Sequence, residues 1–355
     1  VIKEAIGKLV DGRDLSHLEA YEAMREIMSG RATPAQISAL LTALRMKGES
    51  VGEIAAFSAA MRDFCRRINP KVRGRLVDIC GTGGDKVKTF NISTAAAFVA
   101  AGAGVTVAKH GNRSITSKSG SADVLEQLGL NLSTPIEIVE RSIENIGIGF
   151  MFAPLFHPAM RHAAAPRREI GIRTVFNILG PLANPASPDA QVVGVYDPGL
   201  VEKVAHVLHN LGLREAIVVH GLDGIDEISI VGKTMMAWLR GGEIQTFEVV
   251  PEDLGTRRVC VENISPEMGP GESAEVIFKI LYGCIKAGDP KRDLVAVNAA
   301  AGIIVGGMAD DFPYGVELAQ ESIESGAAYR KLKELIKFCD GSDVSKLEEL
   351  EAKNG

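Results

Sequence analysis

From Asn69-Pro70 onward the 355-residue chain alternates short β-rich runs with amphipathic stretches, and few architectures accept that order. The β-rich runs cover 76–80, 105–108, 191–196, 215–220 and 235–240. Between several of them lie stretches with helical spacing of apolar residues, at 122–128, 135–145 and 200–211. Strands joined by helices run parallel, so the order predicts a largely parallel sheet covered by helices. Residues 242–250 (Gly-Glu-Ile-Gln-Thr-Phe-Glu-Val-Val) alternate polar and apolar as an antiparallel strand does, which makes the expected sheet mixed. From Glu272 long helical patterns return, and the final Leu-Glu-Glu-Leu-Glu-Ala-Lys-Asn-Gly is expected to fray.

Residues 1–68 read as helices alone. Ser16-His-Leu-Glu19, Thr33-Pro-Ala-Gln36 and Ser50-Val-Gly-Glu53 each fit a capping box, in which two side chains satisfy two orphan N–H groups reciprocally. Gly30 and Gly48 stand where left-handed C-caps belong. Ile37, Leu40, Leu41 and Leu44 form one helical stripe, assigned to the domain's own core in preference to a second subunit. At this length two unequal domains are expected.

Charge narrows the partners. With 39 Lys+Arg against 45 Asp+Glu the net charge is −6, a poor basis for sequence-independent nucleic-acid binding. The most apolar stretch, 95–108, is interrupted by Gly102 and Gly104 and falls short of the roughly 20 residues that span a membrane. The five cysteines form no CxxC pair and read as buried small side chains in a reducing compartment. A cytoplasmic protein is expected.

The informative segment is Asp78-Ile-Cys-Gly-Thr-Gly-Gly-Asp-Lys-Val-Lys-Thr-Phe-Asn-Ile-Ser-Thr94. Gly81, Gly83 and Gly84 let backbone N–H groups approach an anion, and Ser93 and Thr94 open a helix whose dipole favours phosphate. It is not a dinucleotide fingerprint, because Lys86 stands where the third glycine belongs. A second cluster, 109–121, combines Lys109, Arg113 and Lys118 with hydroxyls and glycines before another helix start. Loops after consecutive strands converge on one crevice, which favours a polyphosphate ligand. Polyphosphates generally arrive with a divalent cation, and Asp226 and Glu227 supply hard oxygen ligands.

Several motifs in order then resemble the anthranilate phosphoribosyltransferase family: Gly-Thr-Gly-Gly-Asp at 81–85, Asn-Ile-Ser-Thr at 91–94, Lys-His-Gly-Asn-Arg at 109–113, Ser-Gly-Ser-Ala-Asp at 119–123 and Gly-Ile-Asp-Glu at 224–227. His-Pro-Ala-Met-Arg at 157–161 and the run from Gly171 to Pro185 belong to the same pattern. The resemblance implies an α/β protein of the pyrimidine nucleoside phosphorylase type. In that fold a small all-helical domain, 1–69 with a return segment near 154–184, faces a large α/β domain, 70–355, with a mixed, mostly parallel sheet. It implies a homodimer formed through the helical domain, and Mg²⁺-dependent transfer of phosphoribose from 5-phosphoribosyl 1-diphosphate (PRPP) to anthranilate in tryptophan biosynthesis.

By motif, the resemblance assigns PRPP to Gly81, Gly84, Asp85, Thr89, Asn91, Ile92, Ser93, Thr94, Lys109, Gly111, Asn112, Arg113, Ser117 and Ser121. Anthranilate falls to Gly81, His110, Asn112 and Arg167, with Arg168 and Arg173 as alternative carboxylate partners. Mg²⁺ falls to Ser93, Asp226 and Glu227, and the reaction centre to Asp85, Lys109 and His110, the last as a late acceptor of the amine proton. Two competitors share the fold: a pyrimidine nucleoside phosphorylase, and a non-catalytic binder of an anionic metabolite.

Overall fold

The computed structural model describes residues 1–84, 87, 89–114, 118–264 and 268–354; Asp85 and Ser117 lie outside the described residues. The chain begins with four helices, α1 Ile2–Val10, α2 His17–Met28, α3 Pro34–Lys47 and α4 Val51–Asp63. All three capping boxes form. Glu53 does more than cap, since its buried carboxylate also accepts from the Leu15 N–H and from Lys47 Nζ, both at 2.9 Å. Ile37, Leu40, Leu41 and Leu44 are at most 1% exposed and face the core of this chain. Gly30 has the expected left-handed φ of 73°, whereas Gly48 (φ 86°, ψ 130°) ends α3 with positive φ but outside the left-handed helical region.

Seven strands follow: β1 Leu76–Gly81, β2 Thr106–Gly111, β3 Ile148–Phe152, β4 Ala190–Gly194, β5 Glu215–Gly221, β6 Thr234–Arg240 and β7 Glu243–Val249. Their order is β3-β2-β1-β4-β5-β6-β7; β1 to β5 run parallel, and β6 pairs antiparallel with both β5 and β7. Alternate side chains of one strand enter different cores. Val192 joins the cluster shared with α5 (Ile92–Gly102) and the C-terminal helices, and Val193 the cluster shared with α1–α4. That double burial explains why the parallel strands read as continuous apolar runs.

Helices α6 Ser121–Gln127 and α7 Ile136–Ile146 fall between β2 and β3. The chain then leaves the sheet through α8 Ala153–Phe156, α9 Arg161–Ile170 and α10 Phe176–Leu182 before re-entering at β4. Helix α9 packs on α2 and α3, and α10 on α4. After β4, α11 Val201–Asn210 packs on α4, and α12 Pro270–Leu281, α13 Pro290–Val305, α14 Phe312–Glu324, α15 Ala327–Phe338 and α16 Ser345–Asn354 close the other face.

Three expectations need correction. The strand β3 escapes the sequence reading because Ile148-Gly-Phe-Met-Phe152 follows α7 after a single left-handed glycine, Gly147, and a short apolar run reads equally well as buried helix. The C-terminus is ordered into α16, where Leu347 is fully buried and Glu351 accepts from Tyr329 Oη and Lys333 Nζ at 2.6 and 2.7 Å. Of the cysteines, Cys80 and Cys339 are buried but Cys260 is exposed.

Candidate active site at the sheet switch point

Strand β1 pairs with β2 on one side and β4 on the other, so the winding direction reverses between β1 and β4. Ligands of open α/β sheets bind in the crevice beyond the strand ends at such a reversal. A cleft of about 660 Å³ opens there; Gly81 lines it, and Gly194 is the register partner of Gly81. The loop after β5 lays Asp226 across both glycines. Its Oδ2 accepts from the Gly83 N–H at 2.8 Å. A Cβ on Gly81 would stand 2.8 Å from that oxygen, and one on Gly194 only 1.6 Å from the Asp226 main-chain oxygen. The sequence reading selects Gly81 and Asp226 but passes over Gly194. A glycine closing an apolar strand is the available signal, since it marks close backbone approach.

Of the sequence-selected residues, Gly81, Gly84, Thr89, Asn91, Ile92, Ser93, Lys109, His110, Gly111, Asn112, Arg113, Ser121, Arg167, Asp226 and Glu227 all line this cleft. Thr94 does not: it is fully buried, and its Oγ1 finds no hydrogen-bond partner among the described residues. The two glycine- and hydroxyl-rich loops are tied to one another. Asn91 Nδ2 donates to the Ser119 carbonyl at 3.2 Å, while its Oδ1 accepts from Ser119 Oγ and Ser273 Oγ, each at 2.9 Å. Asn91 therefore acts first as a strut between the loops. Arg113 is likewise engaged, pairing with Asp123 and Glu126 at 2.8 Å, so its charge is answered from α6.

Lys109 is 3% exposed, and its ammonium donates to the Ile79 carbonyl at 2.6 Å and to Ser93 Oγ at 3.4 Å. Burial pulls its pKa down, opposed first by the charge of Asp78. Asp78, which the sequence reading leaves without a role, is fully buried beneath the site. It accepts from the His110 N–H at 3.3 Å and from Asn184 Nδ2 at 2.8 Å, and burial pushes its carboxyl up against the pull of Lys109. Asn184 also donates to the Ala108 carbonyl at 3.0 Å, fastening the end of the return segment to the strand that carries Lys109.

The opposite wall is drier. The rings of His110 and His157 lie 5.1 Å apart, and the Nε2 of each is buried without a partner among the described residues. Burial, then the neighbouring His157, lowers His110 to about 3, and burial lowers His157 to about 4. A ring held neutral by burial weighs against the expected proton-accepting role of His110. Arg167 stands over the Phe176 ring at 4.9 Å; burial lowers its pKa, and no carboxylate among the described residues pairs with it. Arg168 is exposed and lies outside the cleft lining, whereas Arg173 lines the cleft with its guanidinium already donating to the Gly84 carbonyl.

The neutral histidines carry a signed pH prediction. An unfolded histidine takes a proton near 6.5, so between pH 6.5 and about 4 to 3 the unfolded chain binds more protons than the folded one. Stability from these rings is complete above pH 6.5 and drains away as pH falls through that window. The melting temperature is expected to fall more steeply from pH 7 to 5 in the unaltered chain than in His110→Gln. The same variant is expected to keep the shape of the kcat–pH profile, and a lost limb in that profile would restore the proton-acceptor role.

Comparison with known proteins accords with this geometry. Residues 73–329 match the model of a glycosyl transferase family, a/b domain, and residues 3–65 that of the corresponding helical bundle domain. The fold and site thus define a glycosyl transferase of this two-part class. An anthranilate phosphoribosyltransferase of Acetivibrio thermocellus is 49% identical over 338 residues, covering 95% of this chain and 96% of the relative. One of Nitrosospira multiformis is 51% identical over 341 residues, with 95% and 96% covered. The crystal structure of the Thermus thermophilus enzyme superposes with a TM-score of 0.88 at 44% identity, covering 94% of this chain and 98% of that one. The Saccharomyces cerevisiae enzyme in complex with PRPP and Mg superposes with a TM-score of 0.86 at 28% identity, covering 98% of each chain. The chain belongs to the anthranilate phosphoribosyltransferase family.

Proposed function

We propose that the chain transfers the 5-phosphoribosyl group of PRPP to the amine of anthranilate and releases pyrophosphate. The observation that carries this reading is the meeting, at one switch point, of two anion-suited loops and an acidic pair with, on the opposite wall, a half-buried guanidinium with which no carboxylate among the described residues pairs. The loops would take the donor: Gly81, Gly84, Asp85 and Thr89 from one, Asn91, Ile92, Ser93 and Thr94 at the start of α5, and Lys109, Gly111, Asn112, Arg113, Ser117 and Ser121 from the other. Thr94 would act through its place in the first turn of α5, because its side chain is enclosed. Arg167, with Gly81, His110 and Asn112 around it, would take the acceptor carboxylate, for which its planar fork is suited.

The donor set also suits a hard cation. Asp226, Glu227 and Ser93 line the cleft with two carboxylates and a hydroxyl. Those donors match Mg²⁺, which takes one or two carboxylates and completes its shell with phosphate and water. When bound, the ion would neutralise charge building on pyrophosphate.

The chain's own groups do the rest. The amine lone pair forms the new bond to C1 of the ribose as the C1–O bond breaks, and the bonding pair leaves on pyrophosphate. Lys109 and the N-terminal turn of α5, whose dipole favours an anion, stabilise that departing charge in a site already oriented for it. The arylamine is neutral at pH 7, and after attack its proton passes to solvent, so the neutral His110 shapes the pocket without titrating. The helical domain, 1–69 with the return segment 154–184, would bring the acceptor wall. Leu18 and Met46, exposed at 68% and 84% on α2 and α3, support a homodimer through that domain. No helix among the described residues is long and apolar enough to cross a membrane, in keeping with the proposed cytoplasmic location.

The test is incubation with PRPP, Mg²⁺ and anthranilate, following loss of anthranilate fluorescence. Loss that requires all three is expected. Phosphate-dependent cleavage of thymidine or uridine without such loss would favour a nucleoside phosphorylase, and silence in both assays a non-catalytic binder.

A further inference from the structure

Arg173 sits in the turn between α9 and α10, on the wall opposite the glycine-rich loop, yet its guanidinium crosses the cleft to donate to the Gly84 carbonyl. Its Cζ stands over the Tyr196 ring, 4.4 Å from the centroid, where the ring face attracts the cation. Gly84 is left-handed (φ 83°), and a Cβ there would stand 3.0 Å from the Arg173 Nη2, so glycine permits the approach. Tyr196 grips the same loop from its other end. Its N–H donates to Thr82 Oγ1 at 3.0 Å, and the Thr82 N–H donates to the Gly194 carbonyl at 2.8 Å.

The segment behind Arg173 is short and tied. Gly171 ends α9 in the left-handed conformation with its N–H on the Arg167 carbonyl, and the Thr174 N–H is held by Asn177 Oδ1 at 2.9 Å. One taut stretch of chain therefore carries both the acceptor-facing guanidinium of Arg167 and the one that holds the donor loop.

We propose that Arg173 is a positioning residue that couples the two substrate sites, so that filling the glycine-rich loop tightens the acceptor pocket and the reverse. The proposal rests on the reading of the cleft as a donor loop facing an acceptor wall. Arg173 does not bind either substrate; it sets the distance between the Gly84 turn and the 161–177 segment. Coupling of this kind is reciprocal, and each ligand changes the other's affinity by the same factor.

The experiment uses Mg²⁺-pyrophosphate as a non-reacting occupant of the donor loops and anthranilate, read by its own fluorescence, as the acceptor. The coupling factor is the ratio of anthranilate Kd without and with Mg²⁺-pyrophosphate. In the unaltered protein it is expected to be at least about fivefold. In Arg173→Ala it is expected to fall below about twofold, while Kd for each ligand alone changes by less than about threefold. Arg173→Lys, which keeps a donor but loses the guanidinium over the Tyr196 ring, is expected to fall in between. In steady state the variants should lose the dependence of each substrate's KM on the other's concentration, which a loss of fold alone would not produce. A factor of one in the unaltered protein, or an unchanged factor in Arg173→Ala, overturns the proposal. A tenfold weakening of anthranilate alone with the factor intact also overturns it and makes Arg173 a direct acceptor ligand. Should the unaltered protein neither bind anthranilate nor consume it with PRPP, the functional reading falls and takes this proposal with it.

Discussion

Gly194→Ala is expected to lower kcat/KM on the order of 100-fold and to cost about 1–3 kcal/mol of stability. The added Cβ would sit 1.6 Å from the Asp226 main-chain oxygen, which is backbone and cannot swing aside as a side-chain tip would. The loop carrying Asp226 and Glu227 must then back away from the end of β4 by about an ångström, and misplacement on that scale is enough to cost two decades in rate. The effect should concentrate in the Mg²⁺ dependence, with the half-saturating metal concentration rising sharply, because the displaced groups are the proposed metal ligands. Gly7→Ala is the matched control. Nothing lies within 4 Å of its added Cβ on the exposed side of α1, so activity should hold, and stability should rise by about 0.5–1 kcal/mol. Assay by anthranilate fluorescence and melting by circular dichroism separate the two outcomes; a Gly194→Ala enzyme with unchanged metal dependence would dissociate the strand end from the acidic loop.

Arg167→Ala is expected to reduce kcat/KM for anthranilate by about 10²- to 10³-fold while moving KM for PRPP by less than about threefold. Losing one partner of a buried, hydrogen-bonded charge pair costs roughly 2–5 kcal/mol, and a decade is about 1.4 kcal/mol. Arg167→Lys should recover little, because an ammonium does not offer the two-pronged match to a carboxylate and loses the guanidinium that stands 4.9 Å from the Phe176 ring centroid. Equal effects on both substrates would remove Arg167 from the acceptor pocket and reopen the assignment among the arginines of α9 and the turn that follows.

The parts of this protein legible in its sequence are those governed by neighbours in the chain. Ser16, Thr33 and Ser50 announce helix starts because a capping box closes over three residues, and all three boxes form. The turn at Gly81, Gly83 and Gly84 announces an anion loop because positive φ is a local demand, and Gly83 and Gly84 have φ of 65° and 83°. What escapes depends on groups distant in sequence. Asp78 gains its role from Asn184 and His110, Asn91 from Ser119 and Ser273, and Gly194 from Asp226. The proton affinity of His110 escapes for the same reason: a motif names the residue, whereas its pKa is set by the walls that enclose it. Arg167 separates from Arg168 and Arg173 only by burial, which no run of adjacent arginines reveals.

The hydrogen bond from the Gly83 N–H to Asp226 joins groups 143 residues apart in the chain. Contacts of such long range incur their loop-closure entropy before they return any stability, and they form late. As the chain leaves the ribosome, the glycine turn, Lys109 and Arg167 emerge well ahead of the acidic loop that completes their pocket. A nascent chain halted before β5 would carry most of the substrate-contacting groups and yet have no working site, so catalytic competence should appear abruptly with the central sheet and not accumulate with length.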